Sequence, residues 1–378
     1  MRVYINTLSW YVGKSTDLEI HRRFKLLEKD FPNVHVCYPN TFLGSLKYNI
    51  YKIAKVIIRR LKRTKPRRRG FIIRIEKVFC ALDYKKSKCD VVYGQGVFPL
   101  VPDNIPIVYD TFFLKPEDIV LNPTAEMYKD YNNEIITLSE IVKKNVIINF
   151  RSNKSIKEAI EIWPNQINKF VNIPFLLPNL EALGINEIIK KHTDATTLKI
   201  LFVGAQARRK GLNLIVDSLV ELWNDGFKNW ELHVVSSCSD GLIEVKDDMP
   251  INMYGAKDYL FVLDLFRTCH VYAMVSNYES FGISYIEAQA NGLISLLRDF
   301  EPQREIADYG RLGVLVKPEK EDIKEGLARV LNMSQQSRIK MALECRENFI
   351  IKYEYRVVAK QWYNAFFKAM EMKDVWKS

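Results

Sequence analysis

Cysteine is sparse and scattered: six residues, at positions 37, 80, 89, 238, 269 and 345, in a chain of 378. They form no Cys-x-x-Cys pair and no zinc-type spacing. That excludes a disulfide framework and points to reduced thiols in a reducing compartment. No uncharged apolar run approaches the roughly 18 residues of a membrane span. The start, Met1-Arg2-Val3-Tyr4-Ile5-Asn6, turns polar too early for a signal peptide. The expectation is a cytoplasmic protein, soluble or peripheral at the inner face of the plasma membrane. No fixed-period repeat and no low-complexity tract occurs. A composition of 48% hydrophobic and 27% charged residues excludes disorder and collagen-like fibres. At roughly 150 residues per domain, the length suits two domains.

What is present is charge of one sign in one place. The net charge is +11, from 56 basic and 45 acidic residues. Residues 51–100 hold 15 Lys/Arg against three acids, a local +12, so the rest of the chain sums to about −1. A block of this kind suits an anionic surface. Leu46, Ile50, Ile53, Ala54, Ile57 and Leu61 fall on one helical face. Lys47, Lys52, Lys55, Arg59, Arg60, Lys62 and Arg63 flank them, and Lys65-Pro66-Arg67-Arg68-Arg69-Gly70 breaks the helix. Three readings stand: a domain helix with solvated charges, a basic amphipathic face at an anionic leaflet or lipid-linked acceptor, and a nucleic-acid surface. No RNA- or DNA-binding motif accompanies the last.

Short apolar runs alternate with helical stretches, the signature of parallel sheets covered on both faces. Candidate strands are 2–8, 34–39, 90–93, 105–109, 135–138, 146–149 and 170–173 in the first half. In the second they are 198–203, 231–236, 251–254, 271–275, 293–297 and 314–316. This predicts an α/β chain of two doubly wound domains. The proline-containing 173–179 and polar 190–197 mark the crossing. Residues 1–180 then form one domain, with the basic segment 47–88, and 181–378 the other. The aromatic last helix, about 355–372, would pack back on the first domain.

Two stretches carry chemistry. Leu201-Phe202-Val203-Gly204-Ala205-Gln206-Ala207-Arg208-Arg209-Lys210-Gly211 ends a buried strand and brings three cations to a helix N-terminus. Free N–H groups, the helix dipole and point charges converge there, which suits a pyrophosphate. A solvated basic turn is the plainer alternative. Next, Ser276-Asn277-Tyr278-Glu279-Ser280-Phe281-Gly282-Ile283-Ser284-Tyr285-Ile286-Glu287 places N–H donors around Phe281, Gly282 and Ile283 between two carboxylates. Spaced carboxylates suit polyol recognition. A dipole-favoured acid plus a solvated Glu is the alternative. Two other leads close. Gly13-Lys14-Ser15-Thr16 lacks the glycine that a P-loop needs five positions earlier, where Leu8 stands. Cys269-His270 has no partner cluster, so a core Cys and a strand-edge His are expected. The remaining histidines form no triad.

The second stretch, continuing to Glu301-Pro302-Gln303-Arg304-Glu305-Ile306, resembles the large retaining glycosyltransferase family of the GT-B fold. That family is glycosyltransferase family 4-like and includes bacterial lipopolysaccharide and capsule sugar transferases. Glu279 and Glu287 have its Glu-x7-Glu spacing. Phe202-Val203-Gly204 with Arg209-Lys210-Gly211 looks like its diphosphate loop. Tyr254-Gly255, the stretch from Gly310 to Pro318 and the closing aromatic helix agree. The likeness is strong over about 198–370 and weak over the first 180 residues.

The resemblance implies two Rossmann-like domains facing across a cleft, with the C-terminal helix crossing back. It implies a UDP- or GDP-linked sugar as donor, a saccharide acceptor that is lipid-linked in lipopolysaccharide, O-antigen or capsule assembly, and no cofactor or metal. The sequence contains no Asp-x-Asp. By position, Arg209 and Lys210 would neutralise the diphosphate, with Arg208 beside them. Glu279 would hold sugar hydroxyls and Glu287 ribose hydroxyls. Amides of Phe281, Gly282 and Ile283 would cap phosphate or sugar, and Met253 and Tyr254 would lie at the base. Residues 46–69 would make any membrane contact, and no specific nucleic acid is expected. A soluble transferase acting on a free sugar or glucan, and a non-catalytic nucleotide-sugar or glycan binder, remain as alternatives. There are departures. Ala205 replaces a common Arg, only Gly13 stands for the first-strand Gly-Gly, and Tyr109-Asp110 stands where relatives have His before Asp. Asp110 either takes over that donor contact or is a helix cap or turn residue.

Overall fold

The computed structural model describes residues 1–7, 20, 22–37, 88–95, 104–120, 122–237, 249–279 and 281–375. Gly13, the P-loop-like tail and most of the basic block, with its candidate helix, lie outside the described residues.

Along the chain come β1 (Arg2–Thr7), β2 (His35–Cys37), β3 (Val91–Gln95), β4 (Ile107–Thr111), α1 (Ala125–Ile141), β5 (Val146–Phe150), α2 (Asn153–Ile162) and β6 (Phe170–Val171). Then follow α3 (Ile185–Thr193), β7 (Leu198–Val203), α4 (Leu212–Asn224), β8 (Trp230–Val235), β9 (Ile251–Met253), α5 (Tyr259–Thr268), β10 (Val271–Met274), α6 (Ile283–Ala290), β11 (Ile294–Arg298) and β12 (Gly313–Val316). The chain closes with α7 (Lys320–Leu331), α8 (Gln335–Lys352) and α9 (Tyr355–Val375).

The strands make two six-stranded sheets, ordered β2-β1-β3-β4-β5-β6 and β12-β11-β10-β7-β8-β9. The pairings are parallel, for example Tyr93 with Val108 and Met274 with Leu297. Every residue of β4, β5, β10 and β11 is buried. Continuous Val/Ile/Leu runs of this kind form where helices cover both faces. Each fully buried Val or Ile contributes roughly 1.5–3 kcal/mol.

One stretch departs from the sequence expectation. Residues 135–138, expected as a strand, lie inside α1. The run Ile-Ile-Thr-Leu has β propensity, but the residues that α1 buries are Leu138 and Ile141, one turn apart. That spacing belongs to a helix, and tertiary burial overrides local propensity.

The chain divides into two compact units. One comprises Met1–Phe113, Asn132–Pro178 and Val358–Ser378; the other comprises Leu114–Tyr131 and Asn179–Val357. The closing helix α9 thus contributes its later part to the unit of the first sheet. There Trp362 Nε1 donates to Pro174 O at 3.0 Å, and the Trp362 ring meets Phe24 and Tyr93 edge-on. Among the described residues, no helix is long and apolar enough to cross a membrane.

Candidate active site

Counted within its own unit, the second sheet runs third-second-first-fourth-fifth-sixth. The order reverses between β7 and β10. Loops leaving the carboxyl ends of two strands at such a point diverge and leave a crevice, the usual ligand position in open α/β sheets. Here those loops are 204–211, after β7, and 275–282, after β10.

The first loop is a tight turn. Lys210 N donates to Gln206 O at 3.0 Å, Gly211 N to Arg208 O at 3.2 Å and Leu212 N to Ala207 O at 3.0 Å. Ala207 is buried beneath it and Arg208 is exposed. The Lys210 side chain runs back over Gly204, where any Cβ would collide with its methylenes. Gly211 (φ +79°) and Gly282 (φ +80°) start α4 and α6 in the left-handed region. A Cβ on Gly211 would meet the Val275 carbonyl, and one on Gly282 would meet the Tyr285 ring. The start of α4 can therefore approach the end of β10 closely only with glycine, and the start of α6 has room for the Tyr285 ring only with glycine.

Arg209 ties the loops together. Its Nε donates to Gln206 Oε1 at 2.5 Å, and its Nη1 donates to Ser276 Oγ at 3.2 Å and to Tyr278 O. In return Asn277 N donates to Arg209 O at 2.8 Å. The Lys210 ammonium lies among charges. Burial lowers its pKa, Glu279 and Glu287 pull it up, and Arg209 pushes it down. Two cations and two carboxylates thus share one electrostatic neighbourhood at the N-terminus of α6. The floor is aromatic. Tyr285 Oη donates to Met274 O at 2.6 Å, and Tyr272 Oη to Val203 O at 3.4 Å. Burial is the main cause that raises both phenol pKa values.

Beside β8, Tyr254 Oη lies 2.7 Å from His233 Nδ1, and His233 Nε2 lies 2.6 Å from Glu231. The His233 and Tyr254 rings stack with an interplanar angle of 10°, which fixes the tyrosine ring. Met253 next to it is 39% exposed, as a flat apolar contact for a ring would be.

Asp110 belongs to the other unit and is not a cap or turn residue. It lies inside β4 and is buried. Oδ1 accepts from Asn149 Nδ2 at 3.1 Å and Arg151 Nε at 2.9 Å; Oδ2 accepts from Tyr93 Oη at 2.6 Å and from Arg151 Nη2. Four donors fill a carboxylate's four acceptor positions. Asn149 also brackets Ile173, donating to its O at 2.9 Å and accepting from its N at 2.7 Å. Arg151 stacks 3.5 Å from the Phe175 ring centroid. Here Asp110 braces a buried arginine. Arg151, Asn149 and the buried Arg298 escaped the sequence reading, although a charged residue closing an apolar strand run was the available signal.

The expected core pair is as read. Cys269 is buried, and the buried His270 accepts from Lys199 N at 2.9 Å. Among the described residues, no group of three or more His, Cys, Asp or Glu side chains gathers as metal ligands do.

One family comparison bears on the second unit. Residues 185–349 match the model described as "Glycosyl transferases group 1". That match spans less than half of the chain. Both candidate loops and all of α6 fall inside it. A comparison with curated proteins finds none that matches. Solved structures similar over nearly the whole chain have the GT-B fold. One is WaaG, a glycosyltransferase involved in lipopolysaccharide biosynthesis, at 15% identity and TM-score 0.62, covering 96% of this chain and 98% of that one. Another is sucrose-phosphate synthase from Thermosynechococcus elongatus, at 12% and 0.64, covering 98% and 99%. A third is a UDP-forming α,α-trehalose-phosphate synthase from Burkholderia vietnamiensis, at 11% and 0.63, covering 97% and 99%. The α/β chain with two parallel sheets is thus a GT-B fold.

Proposed function

We propose that the chain is a retaining, metal-independent glycosyltransferase that moves a hexosyl sugar from a UDP- or GDP-linked donor to a saccharide acceptor. The observation that carries this is the meeting of Lys210, Glu279, Glu287 and the N-terminus of α6 where the second sheet reverses. Lys210, already partly stripped of water, gains most when an anion arrives. Its ammonium and the amides at Gly282 and Ile283 offset the charge that develops on the departing diphosphate. Arg209 is committed to the loop, so it presents the cradle, while the exposed Arg208 adds charge at its rim. Glu279 accepts from sugar hydroxyls and Glu287 from the ribose. Met253 and Tyr254 offer the base an apolar face.

The sugar passes through an oxocarbenium-like state. The acceptor hydroxyl attacks the face from which the diphosphate departs, and a departing phosphate oxygen takes its proton. No side-chain base is required. Asp110 braces Arg151 within its own unit.

The +12 block favours an acceptor with an anionic lipid anchor, at the cytoplasmic leaflet of a membrane. Similarity to sucrose-phosphate synthase favours a soluble sugar acceptor instead. Co-sedimentation with liposomes that contain or lack anionic lipid separates the two. Binding that ignores lipid charge and salt removes the membrane reading.

The catalytic reading is tested by release of UDP or GDP from a panel of nucleotide sugars in the presence of candidate saccharides. Lys210→Ala and Glu279→Gln should each lower turnover at least about a hundredfold while the thermal midpoint stays put. Near wild-type turnover in both variants would overturn the assignment.

A further inference from the structure

Arg298 closes β11 and is 4% exposed. Among the described residues no carboxylate lies within ion-pair distance of it, and its Nε has no hydrogen-bond partner. Its Nη1 donates to Ser276 O at 3.4 Å and to Asn277 Oδ1, and its Cζ stands 4.9 Å from the Phe300 ring centroid. Glu319 acts on it from a distance, but burial outweighs this and lowers its pKa.

Both acceptors that satisfy Arg298 belong to the loop before Glu279. From the other side the Arg209 guanidinium donates to Ser276 Oγ and Tyr278 O, and the Arg209 backbone O accepts from Asn277 N. Ser276 Oγ donates onward to Tyr278 O at 2.7 Å. Two guanidiniums from different elements therefore hold residues 276–278, and Glu279 is next. A buried guanidinium stranded without acceptors is costly. Any departure of the loop from its present place would strand Arg298. The loop is thus preset before a ligand binds.

We infer that Arg298, acting through Asn277, is a positioning residue that fixes the direction of the Glu279 carboxylate toward the donor sugar. This rests on the reading of Glu279 given under Proposed function.

The test is isothermal titration with UDP, GDP, UDP-glucose and GDP-mannose. Asn277 is exposed, so Asn277→Ala removes the acceptor without opening the core. It should weaken the bound nucleotide sugar about tenfold, the scale of one charge-assisted hydrogen bond, and change the matching nucleotide less than about twofold. In a Glu279→Gln background the same substitution should cost less than about twofold, because the group being positioned is gone. Arg298→Lys should retain more affinity than Arg298→Met. Equal losses for sugar-bearing and sugar-free nucleotide, an undiminished loss in the Glu279→Gln background, or no loss at all would each overturn the inference. If the unaltered protein binds none of the four compounds, the reading of the site fails and the inference falls with it. If binding is seen but Glu279→Gln does not weaken it, the assignment of Glu279 alone is at fault.

Discussion

Lys210 is the residue on which the proposed chemistry turns, and its environment gives a pH signature. Burial lowers its pKa from the ordinary lysine value. A bound diphosphate favours the charged form, so binding draws a proton once the pH exceeds the lowered value. Affinity for the nucleotide should therefore fall as pH rises through that lowered pKa. Lys210→Arg, which stays charged, should flatten the profile; titration of nucleotide at several pH values checks both. The Asp110–Arg151 pair behaves differently. Their side chains are 2% and 8% exposed. Removing one partner strands the other, so Asp110→Ala should cost about 3–5 kcal/mol in urea unfolding. A variant as stable as the parent would show that the brace carries no weight. At this scale the sequence was legible where spacing encodes chemistry. The spacing of Glu279 and Glu287 and the Arg-Lys-Gly run stand out as patterns, and the structure puts Lys210 among the charges of both carboxylates. It was opaque where a role depends on a distant partner. Nothing near Asp110 in sequence names Tyr93 or Arg151 as its donors.

Elements were most legible where burial leaves one period. In the second sheet β10 and β11 appear as apolar runs because both faces are covered, whereas β9 at the edge is only partly buried. Residues 135–138 of α1 misled because a short apolar run fits strand and helix alike. Helix starts carry their own test. Gly211→Ala combines a left-handed φ with a clash on the Val275 carbonyl. Its expected cost is at least roughly 1–2 kcal/mol, with loss of nucleotide binding, measured by unfolding and titration on the same sample. At the opposite end of this sheet, His192 and His270 lie 5.5 Å apart, and burial pushes them down to about 4 and about 3. Unfolded histidine titrates near 6.5, so the unfolded chain takes protons first as pH falls. Stability should be complete above about pH 6.5 and decline toward pH 4. His270→Gln should make that decline shallower; a midpoint flat across the window would count against the buried neutral pair.

At the scale of the molecule, one observation joins topology to chemistry. The second sheet reverses between β7 and β10, and the two loops that leave there carry Lys210 and Glu279. A fold alone hosts many activities, whereas this placement of charge at a reversal point narrows them. Composition disclosed the two-domain scale and the single basic block, and the hydrophobic pattern disclosed the sheets. Gly13 and most of the block lie outside the described residues, so the acceptor side rests on charge. The most direct measurement is a crystal structure of the chain with its nucleotide sugar bound. The account predicts diphosphate oxygens within about 3 Å of Lys210 Nζ and of the amides at Gly282 and Ile283, with Glu279 on the sugar. A diphosphate held elsewhere, with Lys210 and the start of α6 bare, would contradict it.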